Sequence, residues 1–300
     1  MIQVRNVVKR FDDLLAVKDV TFEVKKGTIY GLLGSNGAGK TTLLKMLAGI
    51  YKQDKGEIFI DGEKIFENPK LKERTIFLAD ALFFFSQYTV KQMAEFYQSL
   101  YSSWNEERFL ELQNVFLIDV NKKIHRLSKG MQRQVAFWLA LSAMPDVLIL
   151  DEPFDGLDAV MRQKVRNLLI EDVAEREMTI FISSHNLREV EDLCDHIGIL
   201  HKGELIIEKD LDDLKSDVHK VQVAFKEGVP EKFLGEFEVL YEEKRGSVSL
   251  FIVRGKEEEL LAHIDFFQPA IVDLLPLTLE EIFIYEMRDV GYAIDQITVE

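Results

Sequence analysis

Among the 300 residues there is a single cysteine, Cys194, so no disulfide can form within the chain, and the usage fits a reducing compartment. Cys194 reads most simply as a small apolar residue. Long apolar runs are also missing. The longest, Val135 to Met144, contains Ser142 and stops at Pro145, well short of the ~18–20 residues a membrane span needs. No charged-then-apolar leader opens the chain. A protein that does not cross a membrane by itself is expected. A basic stripe is lacking too: 37 Lys and Arg stand against 52 Asp and Glu, a net charge of −15. A duplex-binding surface would need such a stripe, so no nucleic-acid partner is expected. Repeats, low-complexity tracts, Pro-rich linkers and sustained heptads are likewise not seen.

What is present is an ordinary globular composition, 47% apolar and 30% charged, in a chain long enough for two domains. The acidity is uneven. Ser216 to Glu300 holds 8 basic and 18 acidic residues, a charge of −10 in that stretch alone.

The centre of organisation is Leu32-Leu33-Gly34-Ser35-Asn36-Gly37-Ala38-Gly39-Lys40-Thr41-Thr42. A short apolar run, Ile29 to Leu33, leads into it, and Leu43, Leu44, Met46 and Leu47 follow at helical spacing. Strand, glycine-rich turn and helix are the context of a phosphate-binding loop. Glycines let the backbone approach a phosphate chain, and the N–H groups with the helix start supply positive potential. Lys40 can neutralise the outer phosphates, and the Thr41 hydroxyl can ligate the accompanying Mg²⁺. A chance glycine-rich turn is the bland alternative, and nucleotide binding is preferred.

Val20, Phe22 and Val24 alternate as a half-buried strand, and Gly56 to Gly62 and Thr75 to Ala79 read as further strands. Helices are expected over Thr89 to Tyr101 and Trp104 to Phe116, the second opened by a Ser103/Glu106 capping box. Phe83, Phe84, Phe85 and Tyr88 form an aromatic cluster between these elements, for which core is the default and a docking surface the alternative. Val147 to Leu150 is a continuous apolar run, as in a strand buried on both faces. It delivers Asp151 and Glu152 to a strand end, where Asp151 can hold the metal and Glu152 can orient or deprotonate a water. Thr179 to Ser183 is the next strand, ending in Ser184-His185, and His185 is a candidate γ-phosphate contact. Ile197 to Leu200 and Glu204 to Glu208 read as a closing hairpin. From Ser216 on, alternation around Val221, Val239 and Leu250, helices near Glu231 to Leu234 and Lys256 to Ile264, and a strand at Ile271 to Leu275 give the order βαββαβ, the ferredoxin-like arrangement. A final helix, capped by Thr278 and Glu281, is expected to about Met287.

Leu127-Ser128-Lys129-Gly130-Met131 precedes a helix and makes a second helix-start anion site. One nucleotide does not need two such sites, so the second is expected to serve another copy's phosphates. With this stretch the sequence resembles the ATP-binding subunits of ABC transporters over residues 1–215. Gly34 to Thr41 is similar to their phosphate loop and Leu127 to Met131 to their signature. Val147 to Glu152 is similar to their second Walker motif, and Phe154 to Asp158 to the loop linking two sites. His185 matches the switch histidine, and Phe11 the aromatic that stacks on adenine.

The resemblance implies an α/β P-loop NTPase over residues 1–215 with a helical subdomain at about 83–143, and the pattern after it makes 216–300 a separate acidic α+β domain. It also implies ATP and Mg²⁺ as ligands, a head-to-tail homodimer or heterodimer, and transmembrane permease subunits that hold the chain at the inner face of the cell membrane. Lys129 and Met131 stand where the usual signature has glycine and glutamine. Asp80 stands nearest the family's metal-contacting glutamine and is a candidate metal contact. These departures are similar to a YtrB-type bacterial subset associated with export or small-molecule response. The Leu277 to Phe283 stretch also suits bacterial exporter ATPases. The competing readings are a soluble ABC-type ATPase switch and a regulatory ATP-binding module with little turnover.

Overall fold

The computed structural model describes residues 1–226, 228–230, 233–282 and 284. The chain forms two compact units, one of Met1–Glu208 and a second beginning at Lys209.

In the first unit, β1 (Ile2–Phe11), β2 (Leu14–Val24) and β3 (Ile29–Leu33) precede α1 (Lys40–Leu47). β4 (Lys55–Ile60), β5 (Glu63–Lys64), α2 (Pro69–Glu73) and β6 (Thr75–Leu78) follow. The helical part comprises α3 (Val90–Leu100), α4 (Glu106–Phe116), a short 3₁₀ turn (Ile124–Arg126) and α5 (Lys129–Ser142). The chain then returns to sheet with β7 (Val147–Asp151), α6 (Ala159–Arg176), β8 (Thr179–Ser184), α7 (Leu187–Glu191), β9 (His196–His201) and β10 (Glu204–Asp210).

β2-β1-β4-β5 form an antiparallel sheet. β10-β9-β3-β8-β7-β6 form a second sheet, in which β9, β3, β8, β7 and β6 run parallel. β3, β7 and β8 are buried along their whole length, which is why Val147–Leu150 and Ile180–Ile182 are continuous apolar runs rather than alternating ones. α1 buries Leu43, Leu44, Met46 and Leu47 in one core with Val4, Phe22 and Ile58 of the antiparallel sheet and Leu32, Ile149 and Phe181 of the parallel one. Each such side chain contributes about 1.5–3 kcal/mol on burial. Tyr30 and Phe181 stack at 5.0 Å between ring centroids, with Phe22 beside both.

α5 is buried on every face from Arg133 to Ser142, and Val135–Leu141 within it is apolar all round for that reason. These residues make up most of the apolar run from Val135 to Met144. Trp138 stacks on Phe109 of α4 at 4.7 Å and donates its indole N–H to the Phe109 carbonyl at 2.8 Å. The Ser103 capping box is not formed. Asn105 caps α4 by accepting from the Arg108 N–H, while the Ser103 hydroxyl donates to the Ala143 carbonyl beyond α5. The expected helical subdomain also starts later than residue 83, since the first helix begins at Val90. The aromatic cluster before it is not core: Phe83 is 80% exposed, Phe85 38% and Tyr88 37%.

In the second unit, α8 (Leu211–Ser216), β11 (Val218–Ala224), β12 (Glu238–Arg245), β13 (Val248–Arg254), α9 (Glu257–Phe266) and β14 (Ile271–Leu275) follow one another. Leu211 and Leu214 of α8 are buried, so the division falls a few residues before the expected boundary at 215/216. The sheet order is β12-β13-β11-β14 with every neighbouring pair antiparallel. Both long connections therefore skip one strand, as in a split βαβ arrangement. Residues 231 and 232 of the first expected helix and most of the final helix lie outside the described residues. Val221, Val223, Phe251 and Val253 of the sheet pack with Leu260 and Ile264 of α9.

Candidate active site

Because β3, β8 and β7 are adjacent and parallel, the segments that leave their C-terminal ends meet at one edge. This is where open α/β sheets bind ligands. The loop after β3 carries Gly34 to Gly39. Gly39 is the α1 N-cap with φ 109°, and a Cβ there would stand 2.4 Å from the Ala16 carbonyl oxygen, so only glycine fits. Lys40 opens the helix. Its ammonium is buried against the loop, 2.5 Å from the Gly34 carbonyl oxygen, and 3.3 Å from Glu152 Oε1. Gly34, Ser35, Asn36, Gly37, Ala38, Gly39, Lys40, Thr41 and Thr42 are thus positioned by one turn, and all of them but Gly34 line a cleft of about 640 Å³. Leu14, Leu15, Ala16, Lys18, Asp80, Glu152 and Lys202 complete its wall.

Asp151, at the end of β7, is buried at 2% exposure. Its carboxylate accepts from the Thr41 hydroxyl at 2.8 Å and from the Ser183 hydroxyl at 2.7 Å. Thr41 and Asp151 therefore present hard oxygen donors side by side, the chemistry that suits Mg²⁺. Glu152 follows in a left-handed conformation, φ 45°, a backbone state that costs a non-glycine residue ~1–2 kcal/mol. Its N–H donates to the Ser183 carbonyl and hydroxyl, each at 3.2 Å. The carboxylate is shared. Oε1 faces Lys40, while Oε2 accepts from the His185 N–H at 3.2 Å and lies 2.9 Å from His185 Nδ1. Asp155 joins this pair: Glu152, Asp155 and His185 bring one ligand atom each within 4.8 Å of one another.

The support behind His185 was not legible in the sequence. Ser184 donates to Glu189 at 3.0 Å, and Asn186 and Arg162 approach the same carboxylate. Burial pushes the Glu189 carboxyl above its ordinary value of 4.5, with the Ser184 hydroxyl and Arg162 opposing.

The residues expected to form a second anion site lie elsewhere. Ser128 caps α5 by accepting from the Met131 N–H at 3.2 Å. Gly130 is pressed on the Gly156 carbonyl, 2.5 Å from where a Cβ would be. Lys129 lines a separate cleft of about 500 Å³ with Asp80, Gln132, Arg133, Asp155 and Gly156. Ser128, Lys129, Gly130 and Met131 take no part in the wall of the phosphate-loop cleft. Phe11 does not line that cleft either. It ends β1, its ring meets Tyr51 edge-on at 5.5 Å, and Lys9 lies over it. Asp80 borders both clefts, with its carboxylate on Arg133 at 3.1 Å.

A family profile described as "ABC transporter" matches residues 17–155. The "ABC transporter ATP-binding protein YtrB" of Bacillus subtilis (strain 168) is 36% identical over 95% of this chain and 97% of its own length. The chain belongs to the ABC transporter ATP-binding family. The "Bacitracin transport ATP-binding protein BcrA" of Bacillus licheniformis is 35% identical over 72% of this chain and 71% of its own length. Among solved structures, "Structure of ATP binding subunit of ABC transporter" superposes with a TM-score of 0.67 at 26% identity, over 72% of this chain and 92% of that one. "Dimeric Structure of MJ0796, a Bacterial ABC Transporter Cassette" does so at 0.65 and 26%, over 70% of this chain and 99% of that one. The protein is an ABC-type ATPase, and the cassette fold expected of the chain's first part is the fold it has. Among the described residues no helix is long and apolar enough to cross a membrane.

Proposed function

We propose that the chain powers a separate transmembrane permease through an ATP-driven, head-to-tail dimer of two identical or two different ATPase subunits. The observation that carries the dimer is the separation of the two anion sites. The phosphate loop has its own cleft, and Ser128, Lys129, Gly130 and Met131 stand outside its wall, with Lys129 lining a second one. A second copy can close one onto the other, which buries ATP between them.

Within the sandwich, Gly34 to Thr42 wrap the phosphates with backbone N–H groups, and Lys40 neutralises their outer charge. Thr41 and Asp151 would hold Mg²⁺, which supplies charge neutralisation across the β- and γ-phosphates when bound. Glu152 is the group that orients or deprotonates the attacking water, and His185, touching the same carboxylate, contacts the γ-phosphate side. Hydrolysis leaves ADP and phosphate in the cleft and reopens the dimer. The exposed Phe83, Phe85 and Tyr88, on the loop between β6 and α3, offer an apolar face for a permease segment. Relatives named for ABC transport and for bacitracin transport support coupling to transport. Docked to a permease, the chain would sit at the cytoplasmic face of the membrane.

Glu152→Gln is the direct test. ATP turnover is expected to fall by ~10²–10⁴ while ATP binding survives, measured by steady-state hydrolysis and by nucleotide titration. Tagged Glu152→Gln protein with ATP and Mg²⁺ is expected to recover a polytopic membrane protein from native membranes. Recovery of ribosomal or repair proteins alone would replace the permease with a soluble target.

A further inference from the structure

We propose that Asp80 and Arg133 form a positioning pair that ties the nucleotide cleft to the signature helix of the same chain. The proposal deepens the function above, since it rests on the signature acting on a second copy's nucleotide. Arg133 lies in the second turn of α5, one turn beyond the Ser128 cap, and its side chain is buried at 7% exposure. All its hydrogen bonds to the loop after β6 come from one guanidinium: Nη1 donates to the Ala79 carbonyl at 3.2 Å, and Nη2 to the Asp80 carbonyl at 2.8 Å and to Asp80 Oδ1 at 3.1 Å. A planar fork that grips two carbonyls and a carboxylate fixes orientation as well as distance.

Asp80 stands on the border of both clefts. It lines the phosphate-loop cleft with Thr41 and Glu152, and the second cleft with Lys129, Asp155 and Gly156. The wall of one nucleotide site and the start of the helix that serves the other are thus joined through a single ion pair. The Asp80 side chain is 60% exposed, so a neutral glutamine at position 80 would cost little stability, but it would remove the ion pair that fixes the guanidinium on this loop. Asp80 therefore acts on the reaction through Arg133. The pair sets where Ser128, Lys129 and Gly130 stand relative to the chain's own cleft.

The test combines kinetics with dimer closure. Asp80→Asn and Arg133→Lys are each expected to lower kcat about tenfold while KM for ATP stays within about twofold, with melting temperatures close to wild type. The double variant is expected to be no slower than the slower single. Asp80→Glu, whose carboxylate can still reach Arg133 from an exposed position, is expected to keep at least about a third of wild-type kcat. Asp80→Gln is expected to behave like Asp80→Asn. Effects that multiply in the double variant, wild-type turnover in the singles, a loss carried by KM, or full activity of Asp80→Gln would each overturn the pair. ATP-driven dimerisation of Glu152→Gln, followed by light scattering, separates the two layers of the argument. If Glu152→Gln alone stays monomeric at saturating ATP, the sandwich reading fails and the pair with it. If it dimerises and adding Asp80→Asn leaves the ATP dependence of dimerisation unmoved, only the pair fails.

Discussion

The phosphate-loop edge and the start of α5, the two regions proposed to meet phosphates, differ in how their side chains are occupied. At the sheet edge the groups are tied to one another. Thr41 and Ser183 hold Asp151, and Glu152 lies between Lys40 and His185. At the start of α5, Ser128 satisfies one N–H of its own helix, the first turn carries Lys129 and no acidic residue, and the glycine is packed on Gly156. A cation at a helix N-terminus is electrostatically unfavourable by ~0.3–1 kcal/mol unless an anion arrives. One region is organised by its own chain. The other suits the proposed dimer, in which a second chain's phosphates would face it.

The largest expected effect separates these halves by complementation. Lys40→Ala and Ser128→Arg should each abolish most hydrolysis when alone. Mixed in equal amounts, they are expected to recover roughly a quarter of wild-type activity, because half the dimers then carry one intact composite site. Hydrolysis that stays flat on mixing would place the signature's action in its own chain.

A smaller loss is expected inside the tied half. Ser183→Ala leaves the buried Asp151 carboxylate one donor short, which should destabilise the fold by ~1–3 kcal/mol in urea titration. It should also lower turnover by disturbing the Glu152 N–H contact. The same change at the exposed Ser128 cap is expected to cost only ~1 kcal/mol.

Glu189 sharpens the comparison through pH. Burial raises its carboxyl in the folded state, so the native protein binds that proton more tightly than the unfolded chain does. The stability this gives is fully present below the ordinary value of 4.5 and is lost as pH rises through the raised folded value. Glu189→Gln is expected to flatten that fall, visible as a melting temperature that gains on wild type from acid toward neutral pH.

The smallest effect is predicted for Tyr30→Phe. The Tyr30 hydroxyl is buried without a hydrogen-bond partner among the described residues, so its removal should be neutral or stabilising by up to ~1 kcal/mol in the same titration.

Much of the phosphate-loop edge was legible in the sequence because its signals are local. Ile29 to Leu33 is the strand it reads as, and Gly39-Lys40 opens the helix. Asp151, Glu152 and His185 leave adjacent strands for the same reason: buried parallel strands are recognisable as apolar runs, and their ends gather at one edge. What was not legible depends on contacts between distant segments. Ser103 looked like a cap, but Asn105 two residues on takes that role while Ser103 reaches Ala143. The aromatic run from Phe83 to Tyr88 has core composition, yet lies on a loop with no layer above it in its own unit. Nothing in the sequence pairs Asp80 with Arg133, or Glu189 with Ser184.

Cys194 has a consequence for how the molecule can be watched. Its thiol is buried and pushed well above its usual range by desolvation, with Asp195 adding to the shift. The thiolate that reacts with maleimides is therefore scarce and shielded. The chain is expected to react with such reagents as though it had no cysteine. Dyes or spin labels introduced at an engineered surface thiol would report from that position alone, without first removing the native residue from the core.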